Sequence, residues 1–344
     1  MIRTGIIILI VVFFGCEVKE EFSATIITRD SPEVSIAFGS CAHSYDTLEI
    51  LNAVNSQKPD VWVWLGDIVY GDTHDMTVMR EKYDRQKAKP EYQELLAQTR
   101  VIGIWDDHDY GVNDGGKYYS KKKASKEELL RFLDVAENDP VRSREGAYAA
   151  YSVTAGDKEI KIILPDTRYF RDTLDPDTLT LARYLPNTSG TVLGEAQWSW
   201  LRQELEQSTA DLHIVGMSIQ LIAEEQGFEK WANFPRERER FFNLLKEASA
   251  TVPTLVISGD RHIAELSKID IEGLGYPLYD LTASGLTHTW GMARPEPNKY
   301  RVDSLIVTKN FGLLDIGFPE GSPVVNLQVL DEAGKVLLNE EISY

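Results

Sequence analysis

Six side chains in this sequence could hold metal if the fold brings them together. They are the thiol of Cys41, the carboxylates of Asp67, Asp107 and Asp260, the phenol of Tyr70 and the imidazole of His262. Clustered carboxylates repel one another and raise one another's pKa, so such a group is costly unless cations occupy it. The mixed sulfur, oxygen and nitrogen donors suit a transition metal at one position, with an oxygen-rich second position for Ca, Mg, Mn or Zn. The chemistry expected of such a pair is metal-assisted hydrolysis with water as nucleophile.

The elements that must position these residues are legible as apolar runs bounded by turn residues. They cover 34–40, 60–67, 100–109, 159–166, 211–218, 251–260, 276–285 and 311–318, and read as buried strands. Helical spacing covers 195–208 and 235–249, and Ser125 to Glu128 has the form of a capping box ahead of a third helix. Alternating strands and helices predict an α/β protein. Cys41, Asp67, Asp107 and Asp260 each fall just past the C-terminal end of a strand, the edge at which open α/β sheets bind ligands. The C-terminal 324–344 alternates about a Glu-Ala-Gly turn, which predicts a β-hairpin extending one sheet. No Gly/Ser/Pro linker divides the chain, so 32–344 reads as one catalytic domain.

In sequence order, Gly39-Ser40-Cys41, Gly66-Asp67-Ile68-Val69-Tyr70, Trp105-Asp106-Asp107-His108, Asp166-Thr167-Arg168 through Arg171-Asp172, Leu193-Gly194 through Gln197-Trp198-Ser199-Trp200-Leu201, and Ser258-Gly259-Asp260-Arg261-His262 form a distributed pattern. It resembles the calcineurin-like metallophosphoesterases, and within them the PhoD-type alkaline phosphatase/phosphodiesterase branch. The resemblance implies a four-layer αββα sandwich and hydrolysis of small phosphate esters or phosphodiesters. It implies Fe(III) on Cys41, Asp67, Tyr70 and His262, with Asp67 bridging to Ca on Asp107 and Asp260. Asn113 and Gln220 are candidates for a further oxygen ligand there. His108 would stabilise the phosphoryl group or protonate the leaving oxygen, with Asp109 orienting it. Arg168 would grip a non-bridging oxygen. The N-terminal β domain of longer members is not expected ahead of this pattern, which leaves the substrate range open.

The 54 acidic residues exceed the 36 basic ones, for a net charge of −18, which disfavours duplex DNA as a partner. The first 15 residues combine Arg3 with an apolar run from Ile6 to Phe14, the shape of an export signal and short for a membrane span. Gly15-Cys16 resembles a lipobox, which predicts acylation of Cys16, a polar tether over 16–31 and a membrane-anchored lipoprotein facing the periplasm or cell surface. Cys41 is then a lone thiol, for which metal ligation is one reason. Nothing in the sequence specifies an oligomeric state.

Other readings compete at several positions. His43 and His74 read as solvated loop histidines, His213 as a core histidine within a strand, and His288 as a candidate for the cleft wall. Lys121 to Lys123 read as a solvated face. The competing functions are a diesterase for lipid head groups, wall polymers or nucleotides, and a non-catalytic surface lipoprotein that uses the fold as a binding platform.

Overall fold

The computed structural model describes residues 24–180, 183–248, 252–291 and 296–344. The expected export signal and Cys16 lie outside the described residues. The strands are β1 (Ala24–Arg29), β2 (Val34–Gly39), β3 (Val61–Leu65), β4 (Arg100–Ile104), β5 (Ala149–Ala155), β6 (Lys158–Leu164), β7 (Asp175–Pro176), β8 (Tyr184–Leu185), β9 (Leu212–Met217), β10 (Thr254–Ser258), β11 (Ala264–Ile269), β12 (Leu278–Ala283), β13 (Arg301–Ile306), β14 (Phe311–Gly317), β15 (Val324–Leu330) and β16 (Val336–Ser343). The helices are α1 (Ile50–Gln57), α2 (Met76–Lys87), α3 (Pro90–Gln98), α4 (Asp107–Tyr110), α5 (Lys122–Phe132), α6 (Pro140–Ser143), α7 (Gly194–Glu206) and α8 (Pro235–Ala248).

Two large sheets stack face to face, one of six strands in the order β16-β15-β14-β2-β3-β4 and one of eight in the order β1-β5-β6-β9-β10-β12-β11-β13. Alternation along each strand sorts side chains between the inner and outer faces. In β3, Trp62 and Trp64 point out, where Trp64 meets Tyr92 of α3 and Phe132 of α5. Leu65 points in, toward Gly216 of β9 in the other sheet. On the far side, α7 and α8 lay Trp198, Leu201, Phe241 and Leu245 over Ile163, Val215 and Val256. The result is a four-layer αββα sandwich.

All eight predicted runs form strands, and β15 and β16 make the C-terminal hairpin at the edge of the six-stranded sheet. Two expectations need correction. The range read as a polar tether contributes β1, which pairs in parallel with β5 and closes one edge of the larger sheet. The third predicted helix starts at Lys122 rather than after Ser125. Ser125 is buried inside the helix, and Glu128 binds Arg80 and Arg131 instead of a helix terminus.

The parallel order of β2, β3 and β4 in one sheet, and of β6, β9, β10 and β12 in the other, brings their C-terminal ends to one rim. Glycine makes the two rims fit. A Cβ on Gly259 would lie 2.4 Å from the Leu65 carbonyl oxygen, and one on Gly66 (φ 88°) would lie 2.3 Å from Asp106 Cβ.

Candidate metal centre

Cys41 follows β2, Asp67 follows β3, Asp107 opens α4 after β4, and Asp260 and His262 follow β10. Four of these five have left-handed backbones: Cys41 at φ 63°, Asp67 at 48°, Asp260 at 68° and His262 at 53°. Non-glycine residues adopt that region at a cost of about 1–3 kcal/mol each, and they do so where surrounding structure forces a side chain into place. The forcing contacts are visible. Asp109 accepts hydrogen bonds from the backbone N–H groups of Asp67 (3.3 Å), Ile68 (3.1 Å) and Asp106 (2.7 Å). The Asp67 carbonyl accepts from Ala42 N–H at 2.8 Å, and the Cys41 carbonyl accepts from the Thr287 hydroxyl at 3.2 Å.

These constraints bring the ligand atoms together. Donor atoms of Cys41, Asp67 and His262 lie within 4.8 Å of one another, as do those of Asp67, Asp107 and His108, and those of Asp106, Asp107 and Asp260. Asp67 and Asp107 each belong to more than one group. Cys41 Sγ is 3.7 Å from an Asp67 oxygen, and Tyr70 Oη is 2.9 Å from His262 Nε2.

Electrostatically the group is unfinished. Burial, then Asp107, raises the Asp67 carboxyl well above its usual range, and burial, then Asp106, does the same for Asp260. Burial and Asp67 push the Cys41 thiol up. Burial, followed by His288, lowers His262 to about 3, so its imidazole is neutral and keeps a lone pair. A cation would reverse the sign of each carboxylate and thiol shift, because it favours the ionised form that burial opposes. The donors present therefore fit resident metal: a sulfur, a phenol and an imidazole around Asp67 on one side, and carboxylate oxygens on the other.

His108 lies at the cleft mouth, and its Nδ1 faces both oxygens of Asp72 at 2.8 and 2.9 Å. Burial opposes its charge, but the Asp72 hydrogen bond and the Asp67 and Asp107 carboxylates outweigh burial and lift it to about 10. The orienting carboxylate is thus Asp72, not Asp109. Asp109 is instead the clamp on the loop after β3. Asp72 itself sits at φ 45°, and its N–H and that of Gly71 reach the His108 carbonyl at 3.3 and 3.0 Å.

Arg168 does not reach the cleft. Its side chain is fully buried, with Nε 2.5 Å from Asp106 and Nη1 2.5 Å from Glu229. Arg171 is equally buried and lies 2.9 Å from the other Glu229 oxygen. The phosphate grip expected of Arg168 is replaced by a neutralised layer beneath the rim. Asn113 is exposed and bonded to Asp114, whose own carboxylate lies within 4.8 Å of Asp107 and Glu229. Gln220 is buried and spends its amide hydrogens on Glu265 and Thr282.

His288 does line the cleft, 3.1 Å from Tyr70 Oη. His43, expected to be solvated, is half-buried; it stacks on His288 with centroids 4.4 Å apart and packs at a tilt against Tyr70 at 3.9 Å. His74 stays exposed, and His213 is buried in β9 with Nε2 2.8 Å from Ser208 Oγ. Asp72, Asp114 and Glu229 were not anticipated. Asp72 had a signal in its closeness to the Asp67-to-Tyr70 segment, whereas Glu229 lies in a stretch without any motif. A cavity of about 480 Å³ lies at the opposite end of the sandwich, beside Val34 and Asp60, and contains none of these residues.

The PhoD-like phosphatase family profile matches residues 36–286. Alkaline phosphatase D of Bacillus subtilis (strain 168) is 23% identical over 282 residues, covering 70% of this chain and 48% of the relative. The chain thus spans about half the length of that curated relative. The structure of PhoD superposes with a TM-score of 0.65 at 16% identity, covering 92% of this chain and 69% of that one. A purple acid phosphatase from yellow lupin (Lupinus luteus) gives 0.63 at 11% identity, covering 91% and 54%. GAP50, an anchor in the inner membrane complex of Plasmodium, gives 0.57 at 14% identity, covering 91% and 89%. With the profile spanning most of the sequence and the sandwich shared, the chain belongs to the PhoD-like phosphatase family.

Proposed function

We propose that this protein is an exported, lipid-anchored phosphoesterase with two resident metals, acting on phosphate monoesters or diesters. The observation that carries the reading is the convergence of sulfur, oxygen and nitrogen donors on one rim, four of them held in left-handed backbone. Iron would sit with Cys41, Asp67, Tyr70 and His262, and calcium, or else Zn, Mn or Mg, with Asp67, Asp107 and Asp260. When bound, the metal pair polarises the phosphoryl group and supplies an activated water.

The chain's own residues do the rest. Asp72 holds His108 through Nδ1, leaving Nε2 as the nitrogen that donates a proton to the leaving oxygen. Arg168 and Arg171 cancel the charge of Asp106 and Glu229 and fix the floor on which Asp107 stands. Export and acylation at Cys16 rest on the N-terminal sequence; among the described residues no helix is long and apolar enough to cross a membrane.

A binding platform is the second reading, since GAP50 shares the sandwich and is an anchor. A platform has no need of a complete ligand set, and here every position from Cys41 to His262 is filled. Elemental analysis of the purified protein, with hydrolysis of aryl phosphate mono- and diesters before and after chelation, decides between them. Bound metal and chelator-sensitive turnover are expected. Protein that stays inactive after addition of iron, calcium, zinc and manganese would overturn the enzymatic reading.

A further inference from the structure

Trp290 is 45% exposed, yet it is held in a defined orientation beside a candidate metal ligand. Its indole stacks on the His262 ring with centroids 5.1 Å apart and planes 14° apart, and the Trp290 backbone N–H donates to the His262 carbonyl at 3.2 Å. Phe228 lies 5.9 Å from the indole at 26°. The backbone of Phe228 is fixed at both ends: its N–H donates to Gln226 Oε1 at 2.6 Å, and its carbonyl accepts from Lys230 Nζ at 3.0 Å. Gln226 is buried and donates to the Glu229 carbonyl, which ties this segment to the arginine layer below the metal ligands. Arg261 and Arg183 approach the Phe228 ring at 4.2 and 5.7 Å.

The core beneath the rim is closed without these two rings, so packing alone does not account for leaving an indole half in water at the mouth of the centre. Aromatic rings in near-parallel array, flanked by guanidinium groups, present a surface suited to one more planar ring. Phosphorus held among Asp67, Asp107, Asp260 and His262 would be one imidazole away from Trp290. A single ester linkage then carries the departing alcohol onto that surface. An acyl chain would require a long apolar groove, and a polyanion would meet a chain of net charge −18.

We propose that Trp290 and Phe228 form a leaving-group subsite for planar aromatic alcohols, so that the favoured substrates are aryl or nucleoside phosphate esters. The inference rests on the hydrolytic reading above. It makes both residues determinants of specificity, acting through contact with the substrate ring.

The test compares kcat/KM of the metal-loaded wild-type protein, Trp290→Ala, Phe228→Ala and Trp290→Phe on three methyl phosphodiesters whose second alcohol is aryl, nucleoside or glyceryl. Taking each variant relative to wild type cancels the intrinsic reactivity of the esters. The ratio of aromatic to glyceryl kcat/KM is expected to fall about tenfold in either alanine variant, in the range of one stacking contact, and to recover largely in Trp290→Phe. A fall for the aryl ester alone, or for the nucleoside ester alone, supports the subsite and identifies which ring it takes. Equal losses on all three esters would mean that Trp290 merely supports His262, and would overturn the inference while leaving hydrolysis intact. Wild-type protein that hydrolyses none of the three would overturn the function itself, and the inference with it.

Discussion

Asp107 and Asp106 are neighbours in the chain and belong to two differently built regions. Asp107 joins Asp67 and Asp260 on the rim, where burial and mutual repulsion raise the Asp67 and Asp260 carboxyls, and the nearby cations are His108 and, 3.9 Å from Asp260, Arg261. Asp106 turns down into a layer in which Arg168 and Arg171 answer it and Glu229, with every one of the four side chains buried. Both regions are acidic and dry. One is paired with arginine supplied by the fold, although burial still lifts Asp106 to about 7, while the raised Asp67 and Asp260 of the other are left for a ligand to balance, and that difference separates a support from a site.

The largest effect that would break this comparison is at Asp67. Asp67→Asn should cost at least about 10²-fold in hydrolysis, more than the loss typical of a group that only supports a ligand, because Asp67 belongs to two of the donor groups on the rim. The same change should raise the melting temperature of the metal-free protein, since it removes a carboxylate that burial and Asp107 disfavour. The pH dependence follows with a defined sign. A carboxyl whose folded pKa is raised contributes stability that is full below its unfolded value of about 3.9 and is lost as pH rises through the folded value. Metal-free protein should therefore lose stability as pH rises from about 4, and metal should abolish that slope. A metal-free melting curve indifferent to pH and to Asp67→Asn would show that the rim is already balanced.

Arg168→Ala probes the lower region. It strips a buried arginine from both Asp106 and Glu229, so denaturant unfolding should show a loss of about 3–5 kcal/mol, opposite in sign to the effect of Asp67→Asn on the metal-free protein. Where the variant remains folded, KM should move little, because the guanidinium does not reach the cleft. A large rise in KM with unchanged stability would restore Arg168 as a phosphate contact.

The rim was far more legible in the sequence than the layer below it. Ligand-type residues at the ends of apolar strands have short side chains, so topology alone delivers Cys41, Asp67, Asp107 and Asp260 to one edge. The direction of a long side chain is set by tertiary packing, and that is why Arg168 was expected in the cleft and is found beneath it. Asp106, Asp107 and Asp109 fall within four consecutive positions and do three different jobs, which only the turn of α4 separates. Glu229 lies 61 residues from Arg168, in a segment with no pattern to mark it. In the fold, the eight strong apolar runs were readable. By contrast β5 is rich in small residues, β13 has exposed Asp303 and Ser304, and β1 lies at an edge with much of its surface exposed. Such strands owe their existence to neighbours rather than to their own hydrophobic pattern.

Asp72→Asn gives the smallest of the three effects and sharpens the boundary between the two regions. Asp72 is neither among the metal-facing donors nor in the arginine layer; its side chain meets the rim through His108 Nδ1. Asparagine keeps a hydrogen-bonding group there but removes the charge that fixes the tautomer and helps hold the proton. The expected cost is about 10–100-fold in kcat with KM nearly unchanged, since binding does not depend on the proton. The loss should be greater for an alkyl ester, whose departing oxygen needs protonation, than for an aryl ester, which leaves readily as the anion. Equal losses for both esters would mean that His108 acts on the phosphoryl oxygens instead. In that event Asp72 would serve to keep the imidazolium charged at the rim, making His108 the chain's own partial answer to the carboxylates there.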